Sequence, residues 1–183
     1  MRLGSPKQLL VYEGRTLLRR AAEAMLEAGC RPVVVVLGAG VGRLTPELAG
    51  LDVSTAVNAD WERGMGTSVR VGINALSPGP EIDAVLLTLC DQPLIGPQPL
   101  DQLLSAWRNA PACSIAAAEY DGILGVPALF GREHFTGLAA LPDAAGAKLI
   151  LQRHAARVAA VLMPEAATDI DTREQYDAII QTK

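Results

Sequence analysis

Aromatic side chains are scarce in this chain: Phe, Trp and Tyr make up 4% of 183 residues, although half of the residues are hydrophobic. The core must therefore be built from Val, Leu, Ile and Ala, a composition that suits aliphatic strands covered by Ala-rich helices. Cysteine is equally thin. Cys30, Cys90 and Cys113 lie far apart, form no CxxC pair and are accompanied by only two histidines, which argues against a zinc site or a disulfide framework and for three reduced thiols. No basic run exists and the net charge is −4, so no surface is evident that would neutralise several nucleic-acid phosphates at once. No segment joins a charged start, an apolar run and a small-residue cleavage site, and the longest apolar stretches are too short to span a bilayer. A cytoplasmic protein without a membrane partner is expected. At this length a single domain over residues 1–183 can bury a core without staples.

What is present is alternation. "RTLLRRAAEAMLEAG" (15–29) has helical periodicity and ends on Gly29, and the β-branched run "VVVVL" (33–37) follows at once before stopping in glycines. The step recurs with "DVSTAVNAD" as a strand, "GTSVRVGINAL" as a helix opened by Thr67 or Ser68, and "IDAVLLTLCDQP" as a buried strand ending at Asp91. "PQPLDQLLSAWRNA" reads as a helix and "CSIAAAEY" as a strand. In the last third "GVPALFGREHF" gives a short strand and turn, "AGAKLILQRHA" a helix, "RVAAVLM" a strand, and "DTREQYDAII" a helix capped by Asp171 or Thr172. This order predicts a three-layer αβα fold around a doubly wound, mostly parallel sheet.

Ligands of such sheets bind beyond the carboxyl ends of the strands, so the polar residues after the apolar runs are the candidates. "GAGVGR" resembles a dinucleotide fingerprint but has Arg43 where the third glycine belongs, and a backbone turn that admits a ligand near Gly38 and Ala39 is the better reading. Asp91, emerging from a buried strand, is open to two readings, a metal ligand or an Asx turn. Asp169 and Asp171, acids just before a helix, read more readily as N-terminal caps than as ligands. Two acids from separate loops facing Arg2 and Lys7 would form a phosphoryl or nucleotidyl transfer site, because Mg²⁺ takes one or two carboxylates together with substrate phosphates and nearby cations bind the remaining charge. Asn58, Trp61 and "GMGTS" offer contacts to a base and sugar, against the plainer alternatives of a loop anchor at Trp61 and caps at Thr67 and Ser68. His134 and His154 have no partner pattern and are assigned no role.

"RLGSPKQLL", "AGCRPVVVVLGA", "NADWERGMGTSVRVGINAL", "LLTLCDQPLI", "GVPALF" and "DIDTREQY", in this order and spacing, resemble the molybdenum cofactor cytidylyltransferases, the MocA-like branch of the MobA-like nucleotidyltransferases. The resemblance covers nearly the whole chain. It implies a Rossmann-like nucleotidyltransferase fold and transfer of CMP from CTP to the phosphate of molybdopterin with release of pyrophosphate, using Mg²⁺. By the same resemblance Lys7 and Arg2 act at the triphosphate, next to Gly4 of the glycine-rich loop. Asp91 binds metal and nucleotide, with Asp171 as a second metal ligand. Gly38, Ala39, Asn58, Thr67 and Ser68 line the nucleotide, and Gly125, Val126 and Pro127 form part of the acceptor wall. A molybdoenzyme or its maturation chaperone is the further partner implied. Two alternatives stay open: a guanylyltransferase or other NTP transferase acting on a phosphorylated acceptor, and a non-catalytic domain that carries molybdopterin.

The family pattern begins with an apolar strand and a loop "LAAGxSxRxGxPK", whereas this sequence starts inside that loop at Met1. A late-assigned start or a shortened chain is the expected explanation, with natural loss as the rival, and the two neighbours of that strand are expected to have exposed edges. The family's "GDxGAR" is replaced by "DAAGAK", which weakens an acceptor role for Asp143 or Lys148.

Overall fold

A computed structural model describes residues 6–76 and 81–181 of the chain. Arg2 and Gly4, two of the expected site residues, lie outside the described residues. A small hairpin, β1 (Val11–Tyr12) and β2 (Arg15–Thr16), leads into α1 (Leu17–Glu27), with the Thr16 hydroxyl accepting from the Arg19 backbone N–H. β3 (Val34–Leu37), the short α2 (Val41–Leu44), β4 (Ser54–Val57), α3 (Met65–Ala75) and β5 (Ala84–Leu87) follow. The second half runs α4 (Pro97–Asn109), β6 (Ile115–Tyr120), β7 (Ile123–Gly131), α5 (Phe135–Ala139), α6 (Lys148–Arg153), β8 (Val158–Leu162) and α7 (Arg173–Gln181). Among the described residues no helix is long and apolar enough to cross a membrane.

Strand alternation divides the core into layers. Along β5, Val85 and Leu87 pack with α3 residues Val69 and Ile73, whereas Ala84 and Leu86 pack with Ala24 and Ala28 at the end of α1 and with Leu100 and Leu103 of α4. Successive side chains of a strand point to opposite faces, so α3 covers one face and α1 with α4 the other. β3 repeats the pattern: Val35 and Leu37 join Leu18 and Ala22 of α1, while Val36 lies beside Gly72 of α3. The three-layer α/β architecture expected from the sequence is the one observed.

Within the middle layer the ladders fall into two groups. β3 pairs with β4 in parallel, and a four-stranded sheet has the order β5-β7-β6-β8. α1 and α3 bridge the two groups from opposite faces. Among the described residues β3 and β5 each have one ladder partner, so each leaves an edge without a strand against it.

The segment read as a short strand and turn differs from that expectation. β7 is a nine-residue strand that runs antiparallel to both β5 and β6. The turn Asp121-Gly122, with φ of 50° and 73°, joins β6 to β7 in a two-residue hairpin. Asp-Gly suits such a turn because both central residues need positive φ. β6 then pairs with β8 in parallel on its other side.

Candidate active site

Lys7 opens a single 3-10 turn (Lys7–Leu9) and is held by the hydrophobic residues that follow it. Leu10, Tyr12 and Leu17 pack on Ile170 and on Tyr176 and Ile179 of α7, and the Tyr176 hydroxyl donates to the Val11 carbonyl at 2.7 Å. The two ends of the described chain are thus clamped together. The Ile170 N–H donates to the Asp91 carbonyl at 2.9 Å, which brings the loop after β5 against the segment before α7. In consequence Lys7 Nζ donates both to Asp91 Oδ2 and to Asp171 Oδ1, the second at 2.9 Å. Burial by itself would lower the Lys7 pKa, but the two carboxylates outweigh it and raise it to about 12. Lys7 is a cation throughout the physiological range.

The local chemistry leaves Asp171 free for this contact. α7 is capped by Thr172, whose hydroxyl accepts from the Gln175 N–H at 3.2 Å, while Gln175 Oε1 accepts from the N–H groups of Asp171 and Thr172 at 2.8 Å each. This is a reciprocal capping box, so the Asp171 side chain is not the cap. Asp91 likewise spends its Oδ2 on Lys7 rather than on an Asx turn. Asp169 is drawn in as a third carboxylate: burial, then the charges of Asp91 and Asp171, raise its pKa.

The donor set fits a hard cation. Asp91 Oδ1 and Asp169 Oδ1 are buried with no hydrogen-bond partner, and buried acceptors left empty are costly unless a donor or cation meets them. Among the described residues no three His, Cys, Asp or Glu side chains converge closely enough to hold an ion unaided. An ion here would take much of its oxygen shell from phosphates and water, as Mg²⁺ commonly does.

A second group surrounds the β4–α3 turn. Asn58 is 2% exposed; its amide donates to Thr67 Oγ1 at 2.8 Å and Ser68 Oγ at 2.9 Å, and its carbonyl oxygen accepts from the Asp60 N–H at 3.0 Å. Both amide hydrogens are used within the chain, so Asn58 organises the turn and presents no free donor to a base. Thr67 and Ser68 are not caps: α3 begins at Met65 behind Gly64, and Thr67 Oγ1 donates back to the Gly64 carbonyl at 2.7 Å. The glycines are required by the chain's own packing. A Cβ on Gly38 would stand 2.8 Å from the Trp61 Cβ, and one on Gly64 or Gly66 would collide with the backbone of residues 142–145. Ala39 is exposed beside them, and Trp61 is 44% exposed.

On the acceptor side Gly125 and Pro127 are buried and Val126 half-buried. A Cβ on Gly125 would strike the Tyr120 hydroxyl, so the glycine admits that ring next to the register shift at Ala117/Ala118. Asp143 binds Arg63 and Arg70 at 2.6 Å each. The Arg70 hydrogen bond chiefly, with burial opposing and Arg63 assisting, holds its carboxyl below the usual range. Sequence reasoning missed this clamp, and it missed Gln92, which is 4% exposed and donates to the carbonyls of Val126 at 3.1 Å and Ala166 at 2.9 Å. The signal for Gln92 was its place inside "LCDQP", directly after Asp91. The two histidines also meet: His134 is buried, bonds Ser114 Oγ at 2.8 Å and lies 4.6 Å from the His154 ring.

The family model described as MobA-like NTP transferase domain matches residues 1–158. Nicotine blue oxidoreductase of Paenarthrobacter nicotinovorans is 34% identical over 95% of this chain and 88% of its own length. Bifunctional protein GlmU of Mycolicibacterium vanbaalenii is 33% identical over 72% of this chain, and the match spans only 27% of that longer protein. Among solved structures, Rv0371c of Mycobacterium tuberculosis H37Rv superposes with a TM-score of 0.77 at 28% identity, covering 98% of this chain and 92% of that one. The same mycobacterial protein is known in complex with manganese.

Proposed function

The chain belongs to the MobA-like NTP transferase family, and on that premise we propose that it transfers CMP from CTP to the terminal phosphate of a molybdopterin-type acceptor, releasing pyrophosphate. That it is a nucleotidyltransferase using an NTP follows from the family; base and acceptor are our reading. The observation that carries it is the meeting of Lys7 with Asp91 and Asp171 beyond the end of β5, where open α/β sheets take their ligands.

An acceptor phosphate oxygen attacks the α-phosphorus in line. The new P–O bond forms as the bond to the oxygen bridging the β-phosphate breaks, and the electron pair leaves with pyrophosphate. Positioning and charge stabilisation supply the rate enhancement, without a covalent enzyme intermediate. Lys7, with Arg2 in the same role, stabilises the triphosphate and the leaving group, which requires its ammonium to turn from a carboxylate toward the phosphates. Asp91 and Asp171 would hold Mg²⁺, which when bound neutralises phosphate charge and orients the triphosphate; the manganese in the mycobacterial relative supports a divalent ion. Gly4, Gly38, Ala39 and Ser68 line the nucleotide, Asn58 and Thr67 act through the turn they tie together, and Gly125, Val126 and Pro127 back the acceptor. The reading takes residues 1–183 as one cytoplasmic domain.

The test is pyrophosphate release from CTP and from GTP with the molybdopterin acceptor present. CTP is expected to be preferred, and Asp91→Ala is expected to lower kcat by about 10²- to 10³-fold without loss of the folded circular dichroism spectrum. Near-normal turnover by that variant would remove Asp91 from its role, and a preference for GTP would make the enzyme a guanylyltransferase.

A second reading follows from the 34% identity to a protein named as an oxidoreductase. Against it, "GAGVGR" lacks the third glycine of a dinucleotide fingerprint, and α2 behind it is four residues long. Oxidation of NADH or NADPH by the purified protein, coupled to reduction of an added quinone-type dye and with no pyrophosphate from any NTP, would reverse the order of the two readings.

A further inference from the structure

Four buried side-chain polar atoms among the described residues have no hydrogen-bond partner: Arg20 Nε, Asp91 Oδ1, Gln92 Oε1 and Asp169 Oδ1. The last three are all acceptors, and their residues are neighbours at the junction of the loop after β5 with the segment before α7. Gln92 follows Asp91 in the chain, its amide faces the Asp169 carboxylate, and the backbones of Asp91 and Ile170 are joined at 2.9 Å. An orphaned buried acceptor is costly if nothing meets it. Lys7 satisfies only the opposite oxygen of Asp91.

Gln92 stands at the junction of the segments that carry the site. With one amide nitrogen it donates to Val126 O on β7 and to Ala166 O in the 3-10 turn Pro164–Ala167 that leads to Asp169 and Asp171. A buried amide whose nitrogen donates to backbone carbonyls of two other segments is held in one orientation, and its neighbour Asp91 is held with it. We propose that Gln92 is the positioning residue of the cation and nucleotide site: it fixes Asp91 relative to Asp169–Asp171 and to the acceptor-side strand, and so holds the open carboxylate oxygens in place for a divalent cation. Partners of this kind, standing behind the ligands, typically change metal affinity or activity by about 10- to 100-fold when removed. The proposal rests on the reading of Asp91 as the cation- and nucleotide-facing carboxylate.

Mn²⁺ alone is the probe, titrated into the full chain and followed by electron paramagnetic resonance, with steady-state kinetics alongside. Gln92→Met keeps the side chain's length and removes both donors and the acceptor. It is expected to bind Mn²⁺ about 10-fold or more weakly and to lower kcat more than it raises the KM for CTP, at a temperature where its circular dichroism remains native. A merely structural glutamine would lower the melting temperature and leave the Mn²⁺ affinity of the folded protein alone; that result overturns the proposal. Should Gln92→Met not fold, Gln92→Asn decides. Its amide is one methylene shorter and cannot reach both carbonyls, so an intermediate loss of Mn²⁺ affinity is expected and wild-type affinity overturns the proposal. The outcome is separable from that of the proposed function: unchanged Mn²⁺ binding in Gln92→Met beside a transfer-dead Asp91→Ala removes the inference only, and weakened Mn²⁺ binding in a protein that releases no pyrophosphate from any NTP removes the transferase reading only.

Discussion

The two-stranded and four-stranded groups of this protein are made from the same aliphatic residues and reach different degrees of burial. In β6 and β7, Ile115, Ala116, Ala117, Ala118, Ala128 and Phe130 are all 0% exposed. In β3, the more hydrophobic run Val34, Val35 and Val36 is only half-buried, and Val57 at the end of β4 is 59% exposed. β6 has a ladder partner on each side, whereas β3 and β4 have only one another among the described residues. Burial follows the number of neighbours a strand acquires, not how hydrophobic the strand is.

The sharpest way to break this comparison is to cut equivalent pieces from both groups. Phe130→Ala is expected to cost about 3–5 kcal/mol, as a fully enclosed aromatic side chain does, and Val35→Ala about 1 kcal/mol, because that valine is only partly buried. Urea unfolding of both variants measures the difference, and equal losses would show that the two groups are equally well packed.

Next in size is Gly66→Ala at the start of α3. The added methyl group collides with the Pro142 carbonyl, so a loss of about 1–3 kcal/mol is expected despite the better helix propensity of alanine. A stabilised variant would mean that the 142–145 loop yields freely and is no fixed wall.

Lys7→Met tests the seam where the chain ends meet. CTP affinity is expected to fall about tenfold, equivalent to about 1.4 kcal/mol, while Mn²⁺ alone binds more tightly because the ammonium no longer occupies Asp91 and Asp171. Calorimetry of each ligand separately reads both signs, and a parallel loss of both would contradict the exchange.

The smallest effect is a pH dependence at the turns beside the four-stranded group, where both histidines of the chain lie, His134 after β7 and His154 after α6. Burial first, and then the neighbouring His154, hold the His134 pKa below its ordinary value of 6.5. The unfolded chain therefore takes up this proton before the native state does. The stability tied to neutral His134 is complete above about pH 6.5 and is lost as the pH falls toward the depressed native pKa. Thermal melts between pH 7.5 and 5 should show the decline, and His134→Gln should flatten it.

Much of the element order was legible because its signals are local. The β-branched run ending in glycines, Pro97 at the first turn of α4 and Gly29 behind α1 each act within a few residues. β7 was underestimated although Asp121-Gly122 announced the hairpin, because its interior Gly125 and Pro127 look like strand breakers; Gly125 is needed for Tyr120, and Pro127 lies within the register shift, unpaired with β6. The glycines of "GMGTS" were read toward a ligand because a missing Cβ looks the same whether a nucleotide or residues 142–145 fills the space. Gln92 passed unnoticed because nothing within ten residues bonds its amide: Val126 and Ala166 lie 34 and 74 positions away.

From residue order alone came the layered α/β architecture, the start of α7 behind Thr172 and the candidacy of Lys7, Asp91 and Asp171, since propensity, periodicity and carboxylate chemistry are properties of short stretches. Only the tertiary structure decided that Lys7 lies against acids 84 and 164 residues distant, and that Asn58 turns its amide inward. Those outcomes depend on which surfaces the packing of Leu10, Tyr12, Leu17 and Ile170 brings together, and a contact between remote segments leaves no trace in the local pattern of either.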